Sequence, residues 1–216
     1  MMILPFIAFI LSTITAYLIG SIPTGFLTTR IFIGADIRSA GSKNVGATNV
    51  YRVAGKLPGL LTLVIDIVKG VVVVTVVAEF FYRYLPDVDY IFYQAFLGLT
   101  AILGHIYSVF MKFKGGKGVA TTIGVTAAIA PFVLLVSLAV WLIVFIPTSY
   151  VSLGSLAFGV ALPISAVCLD QPFYIVIFCV ILCLINTYKH KENIKRLLKR
   201  EETRTIIFSR KSKSRH

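Results

Sequence analysis

Apolar residues in this chain fall into long runs separated by short polar connectors. The runs at 3–21, 58–81, 91–111, 150–168 and 172–188 are close to the roughly 17–25 residues that carry a helix across a bilayer. The run at 119–146 is ambiguous, because its 28 residues make either one long tilted helix or two segments broken at Pro131. Between the first two runs lie 36 residues, 22–57, too few for an independent soluble domain, so this loop is expected to fold against the membrane helices.

Charge decides the count. Basic loops are held on the cytoplasmic side of a membrane. With six spans, the tail from Lys189 onward, which carries eleven Lys and Arg, would lie opposite the basic segments 22–57 and 112–118. Splitting the ambiguous run at Pro131 gives seven spans, an outside N-terminus and a cytoplasmic C-terminus, and puts 19 of the 21 basic residues on the cytoplasmic side. The expected fold is therefore an all-α polytopic membrane protein of seven transmembrane helices, one of them short, in a single domain over 1–216. The helix from Val119 to Ala130 would span only about 18 Å, against a core of roughly 30 Å.

Composition agrees with this pattern and narrows the function. The chain has 216 residues, 57% hydrophobic and only 14% charged, with a mean hydropathy of +0.90 and a net charge of +12. A basic balance of this size also suits nucleic acid, but the basic residues lie in short connectors without interleaved aromatic or base-reading groups, so nucleic acid is not an expected partner. Cys168, Cys179 and Cys183 sit in or beside one apolar stretch without metal-ligand company and read as small hydrophobes. The first run lacks a preceding Lys or Arg and a small-residue cleavage site, so it is expected to be a retained span.

The polar residues gather into three clusters on the cytoplasmic side. The first is "RSAGSKNVGATNVYR", 38–52, with Ser42, Asn44, Thr48, Asn49 and Arg52 at close spacing; small residues allow close approach, amides and hydroxyls give neutral hydrogen bonds, and Arg gives a bidentate fork for phosphate. A capped turn entering a helix near Ala47 explains the same residues without a ligand. The second is "GHIYSVFMKFKGGKG", 104–118, where Lys114, Gly115, Gly116 and Lys117 suit an anion or form a plain topological turn. It is not a Walker A loop, since Met111 stands where the first Gly is needed and Gly118 where the hydroxyl should follow. The third is "HKENIKRLLKREE", 190–202, an amphipathic basic helix that also carries His190 and Asn193 on one side, three residues apart. Asp66 and Lys69 stand at pairing distance on one helix, His105 lies in an apolar run, and Ser152 begins a span.

These clusters suggest a pocket for a phosphorylated small molecule opening toward lipid. A Ser–His–acid nucleophile and a metal site are unsupported, with histidines scattered at 105, 190 and 216. The soluble-loop acyltransferase pattern of His with Asp five residues later fails at both candidates, which show Phe110 and Lys195. Acyl transfer is not derivable from these residue types alone.

"GSKNVGATNVYR", "GHIYSVFMKFKGGKGVATT" and "HKENIKRLL", with "GSIPTG" at 20–25, "DIVKG" at 66–70 and "SLGS" at 152–155, resemble in order the motifs of the bacterial membrane acyl-phosphate:glycerol-3-phosphate acyltransferases. Lys43 departs from that pattern, which has Gly there. The resemblance implies transfer of a fatty acyl group from acyl phosphate to the 1-hydroxyl of glycerol 3-phosphate, giving lysophosphatidic acid and phosphate, the first step of phospholipid synthesis. It implies no cofactor, a seven-helix fold in the bacterial inner membrane, and an active site near the cytoplasmic face; a monomer is the expected state. By matching position, Ser42, Thr48, Arg52 and Lys114 would line the phosphate region, Gly115 and Gly116 would offer backbone amides, and Ser152, His190 and Asn193 would complete the site. Lys117, Asn44 and Asn49 are motif members without an assigned role. His190 or the substrate's own phosphate would take the hydroxyl proton, and the resemblance favours the phosphate. An organic-phosphate transporter is the alternative, which would show paired interrupted spans in two halves.

Overall fold

The computed structural model describes residues 3–85 and 87–205. The last part of the expected basic tail, 206–216, lies outside the described residues. Eleven α-helices run in the order α1 (Ile3–Ser21), α2 (Thr24–Ile33), α3 (Ala47–Ala54), α4 (Lys56–Val72), α5 (Ala78–Tyr82), α6 (Tyr90–Ile106), α7 (Val119–Ile129), α8 (Pro131–Thr148), α9 (Val151–Cys168), α10 (Phe173–Lys189) and α11 (Lys191–Leu198) among the described residues. A π turn at Val73–Val77 joins α4 to α5, so that Lys56–Tyr82 is one apolar rod. The chain breaks at Ala130 and restarts with Pro131 in the first turn of α8, where a missing N–H costs nothing.

Five helical stretches among the described residues are long and apolar enough to cross a bilayer. The first is Ile3–Ile33, in which α2 follows α1 after a two-residue elbow. Two further expected spans fall short of that length: α10 has 17 residues and α7 only 11. The loop 22–57 is more ordered than a connector, holding α2, a 3-10 turn at Ile37–Ser39 and α3, with Ile37, Val45, Val50 and Met111 in a small apolar core of their own. It does pack on the bundle, as α2 and α3 both lie against α4.

Lipid is as apolar as the side chains, so burial gives little drive between spans and close backbone packing must serve instead. A Cβ on Gly20 would sit 2.1 Å from the Ala101 carbonyl oxygen and one on Gly104 would sit 2.3 Å from that of Tyr17, which is why α1 and α6 can touch. The α4–α7 contact has the same cause, with a Cβ on Gly124 falling 2.0 Å from the Ile67 oxygen and one on Gly70 falling 2.5 Å from that of Thr121.

Several polar groups between the helices are matched across them, although Tyr93 Oη, Thr121 Oγ1 and Thr126 Oγ1 are buried without a partner among the described residues. Ser21 Oγ donates to the Gly104 carbonyl at 3.2 Å, Ser108 Oγ donates to that of Ser21 at 2.5 Å, and Tyr17 Oη donates to that of Tyr107 at 2.6 Å, locking the ends of α1 and α6 together. Gln94 Nε2 donates to the Val74 carbonyl at 2.6 Å, satisfying a backbone oxygen within the π turn. Large apolar side chains such as Leu11, Val64, Val68, Ile143 and Ile164 line the outside, the arrangement a lipid-facing surface requires. Replacing Gly124 by Ala should lower stability by about 1–3 kcal/mol through enforced separation of α4 and α7; thermal unfolding in detergent reads this, and an unchanged midpoint would refute the close-packing account.

Candidate active site

The three sequence clusters meet at one end of the bundle, through the segment that follows α11. At His190 the chain bends by 59° between α10 and α11. The His190 ring, only 2% exposed, is fixed by its Nδ1, which lies 2.8 Å from the Asn186 carbonyl oxygen. Asn186 donates in turn from Nδ2 to the Ser155 carbonyl at 2.7 Å, tying α10 to α9. One turn into α11, Asn193 is buried; its Oδ1 accepts from Lys117 Nζ, and its Nδ2 donates to Glu202 Oε1 at 2.8 Å.

Glu202 is the hub. Its Oε1 also accepts from Ser152 Oγ at 2.9 Å, while Oε2 takes Arg196 Nε at 2.7 Å. The following residues reach the first loop. Arg52 donates from Nη2 to the Thr203 carbonyl at 3.0 Å and to Thr205 Oγ1 at 2.7 Å, and the Thr205 amide donates to the Ser149 carbonyl at 2.8 Å. Arg52 Nε is buried without a partner among the described residues. Ser152, Asn193 and Lys117 are thus joined by hydrogen bonds through Glu202 and Asn193, His190 lies within electrostatic reach of Lys117 and Glu202, and Arg52 is joined through the chain after Glu202.

Burial and neighbouring charge set the protonation states. Burial lowers Lys117 to about 8, opposed by Glu202 and reinforced by Arg196, Arg52 and Lys189. Burial also lowers His190 to about 4, with the Lys117 ammonium adding to it. The imidazole is therefore neutral at pH 7, and its contact with a carbonyl oxygen requires the proton on Nδ1, leaving the Nε2 lone pair as an acceptor. Burial alone would raise Glu202, but hydrogen bonds from Arg196, Asn193 and Ser152 outweigh it and hold the carboxyl below its ordinary value. Burial lowers Arg52, with Glu202 opposing.

The glycine loop differs from the expectation. The amides of Gly115 and Gly116 do not face a ligand, because they donate to the carbonyls of Ile106 and His105, each at 3.0 Å, and so cap the end of α6. Glycine is needed here for contact: a Cβ on Gly115 would lie 2.0 Å from the His105 oxygen, and one on Gly116 would lie 2.2 Å from His105 Nε2. Lys114 is exposed and outside the hydrogen-bonded cluster, whereas Lys117, left without a role by the sequence, is at its centre.

In the first loop, Asn49 and Asn44 build the backbone. Asn49 Oδ1 accepts from the Ser42 amide at 2.8 Å while its Nδ2 donates to the carbonyls of Ala40 and Asn44; Asn44 Oδ1 accepts from the Gly46 amide at 2.8 Å. Ser42 is exposed and Thr48 half-buried, and neither joins the Lys117 cluster by a hydrogen bond. Lys43 adopts φ 59°, the left-handed region that favours Gly, so the one departure from the motif falls where the backbone turns most tightly.

Glu202, Arg196 and Asn186 were not among the expected site residues. Asn186 left a signal, an amide inside an apolar span; Glu202 looked like a solvated acid in a basic tail. Beneath the cluster a narrow, mostly apolar cleft runs into the bundle between Lys117 and Asn186 at its polar end and Ile102, Phe158, Leu162 and Leu182 deeper in.

A helical bundle with five stretches apolar and long enough to cross a bilayer, and a buried cluster of cationic and amide side chains at one end, defines a multi-pass membrane protein. The match to a family model places it further: residues 10–200 fit the model described as glycerol-3-phosphate acyltransferase, and the chain belongs to that family. A glycerol-3-phosphate acyltransferase of Geotalea daltonii is 42% identical over 85% of this chain and 91% of its own length. One of Pelagibacter ubique is 41% identical over 93% of this chain and 99% of its own. The crystal structure of PlsY (YgiH), an integral membrane glycerol 3-phosphate acyltransferase in its glycerol 3-phosphate form, superposes with a TM-score of 0.82 at 38% identity, covering 91% of this chain and 95% of that one. Its lysophosphatidic acid form superposes at 0.79.

Glu202→Gln should lower stability by about 2–3 kcal/mol, since it leaves Arg196 without its charge partner in a largely buried network. Thermal unfolding checks this, and an unchanged midpoint would show that the hub is not holding the tail.

Proposed function

We propose that this protein transfers a fatty acyl group from acyl phosphate to the 1-hydroxyl of glycerol 3-phosphate, releasing lysophosphatidic acid and inorganic phosphate. The observation that carries the reading is the convergence of Arg52, Lys117 and Arg196 around a single carboxylate, Glu202. Three cations against one anion leave two positive charges, the complement of a phosphate dianion. Arg52 brings a buried, unpartnered Nε to this work, and Ser152 and Asn193 add neutral donors. Lys114, Ser42 and Thr48 stand at the more open edge, where an entering phosphate would first meet the protein.

The hydroxyl oxygen attacks the acyl carbon, the bond from that carbon to the phosphate oxygen breaks, and the electron pair leaves with phosphate. Lys117 and Arg52 stabilise the charge that grows on the leaving group. His190 positions the glycerol, its Nε2 accepting from the neighbouring 2-hydroxyl so that the 1-hydroxyl keeps its proton turned toward the substrate phosphate. With a pKa near 4 it is a weak base, so the proton passes to the phosphate of glycerol 3-phosphate, whose second ionisation lies near pH 6. The positive loops support seven spans, an outside N-terminus and an active site at the cytoplasmic face of the inner membrane, where this reaction would begin phospholipid synthesis.

Purified protein given acyl phosphate and glycerol 3-phosphate should form lysophosphatidic acid, with acyl-CoA and acyl-carrier-protein giving no turnover. Product from acyl-CoA instead would overturn the donor, and uptake of organic phosphate into liposomes without product would favour transport. In kcat/KM the rate should fall as pH rises through about 8, where Lys117 loses its charge; Lys117→Arg, if active, should move that limb above about pH 10. The acid limb near pH 6 should persist in a slow His190→Asn variant, because it belongs to the substrate; its disappearance would make His190 the base.

A further inference from the structure

Three buried ionisable side chains take no part in the chemistry above. Lys69 Nζ lies 2.7 Å from Asp66 Oδ1, 2.9 Å from His105 Nδ1 and 3.3 Å from the Ile22 carbonyl oxygen, and all three side chains are buried. Neutralising a charge within the bundle requires only the Asp66–Lys69 pair, which α4 supplies by itself at i and i+3. The other two contacts have a different effect. An ammonium has three N–H donors, and here acceptors from three separate parts of the fold stand around it: the Asp66 carboxylate of α4 as an ion pair, His105 at the end of α6, and the Ile22 carbonyl in the elbow between α1 and α2. Donation to Nδ1 puts the His105 proton on Nε2 and fixes the plane of the ring.

That ring is the floor of the glycine loop. The edge carrying Nε2 is where a Gly116 Cβ would collide, at 2.2 Å, and the other near atoms, at 2.9 and 3.1 Å, also belong to the His105 ring. The backbone of the same histidine accepts from the Gly116 amide. Residue 117, next in the chain, is the lysine that reaches Asn193 at the centre of the site.

We infer that Asp66, Lys69 and His105 are positioning residues that set the height of the glycine loop and so place the Lys117 ammonium for phosphate. This rests on the reading of Lys117 as a phosphate ligand. The set touches no substrate; it acts through the seating of Gly116 on the imidazole. A merely structural role predicts lower stability with an unaltered site, whereas positioning predicts a change in phosphate affinity that depends on the match between residues 105 and 116.

The test is a double-mutant cycle on the full chain, with His105→Asn, Gly116→Ala and the pair. The readouts are affinity for glycerol 3-phosphate by calorimetry, which needs no acyl donor, and the unfolding midpoint. Each single change should weaken glycerol 3-phosphate by about tenfold, and the pair should be no weaker than His105→Asn alone, since removing the ring makes room for the new methyl group. In turnover, KM for glycerol 3-phosphate should rise and kcat should fall, because Lys117 also stabilises the leaving phosphate, whereas a merely structural role leaves both unaltered in the folded protein. Multiplying losses, or a lowered midpoint with unaltered affinity, would overturn the inference. If His105→Asn does not fold, Lys69→Arg, which keeps the charge and alters only its reach to His105, is scored in the same way. Wild-type protein that binds glycerol 3-phosphate but does not use acyl phosphate would sink the donor reading alone, whereas a failed cycle in a working enzyme would sink this one.

Discussion

The Glu202 carboxylate connects more segments of the cluster than any other single group described above, joining α9, α11 and the chain beyond it. Its two oxygens accept from the first turn of α9, from α11 twice and thereby from the neighbourhood of the glycine loop, and the chain just beyond it pins Arg52. A buried anion survives only if matched, and here the matching groups are the same side chains that build the cluster. Assembly of the site and neutralisation of the site are therefore one event. The arrangement also leaves the pocket short of negative charge by design of the sequence, which places acids thinly among its basic residues.

The limits of reading such a site from sequence follow from where each side chain's partners lie. The break between α7 and α8 was legible, because Pro131 and the charge of the tail both demanded it. The pairing of Asp66 with Lys69 was legible too, since helical spacing alone brings them together. The helix α2 was not, as Thr24–Ile33 follows the Ile22–Pro23 elbow and reads as connector. Glu202 was hidden for a deeper reason: its partners lie 6, 9 and 50 residues away, and only tertiary contact separates it from a solvated acid.

The glycine loop shows a residue type recognised for the wrong physical reason. Consecutive glycines beside lysines suggest amides turned toward an anion, yet here they let a loop settle onto the carbonyl end of α6 and the face of an imidazole. Charge is then delivered by the side chain at 117 rather than by the backbone at 115 and 116. The motif places a cation in the cluster, but through a side chain rather than through the glycine amides. Local pattern carries identity here better than it carries geometry.

The π turn in the long rod Lys56–Tyr82 has a consequence for how the protein fits its bilayer. One extra residue is stored there without a full step of about 1.5 Å along the axis, and the Gln94 amide holds the slack in place. The ion pair lies on one side of the turn, in α4, with α5 on the other. The rise lost at the turn therefore sets how thick a bilayer the 27-residue rod Lys56–Tyr82 matches, while the helix that carries Asp66 and Lys69 stays regular.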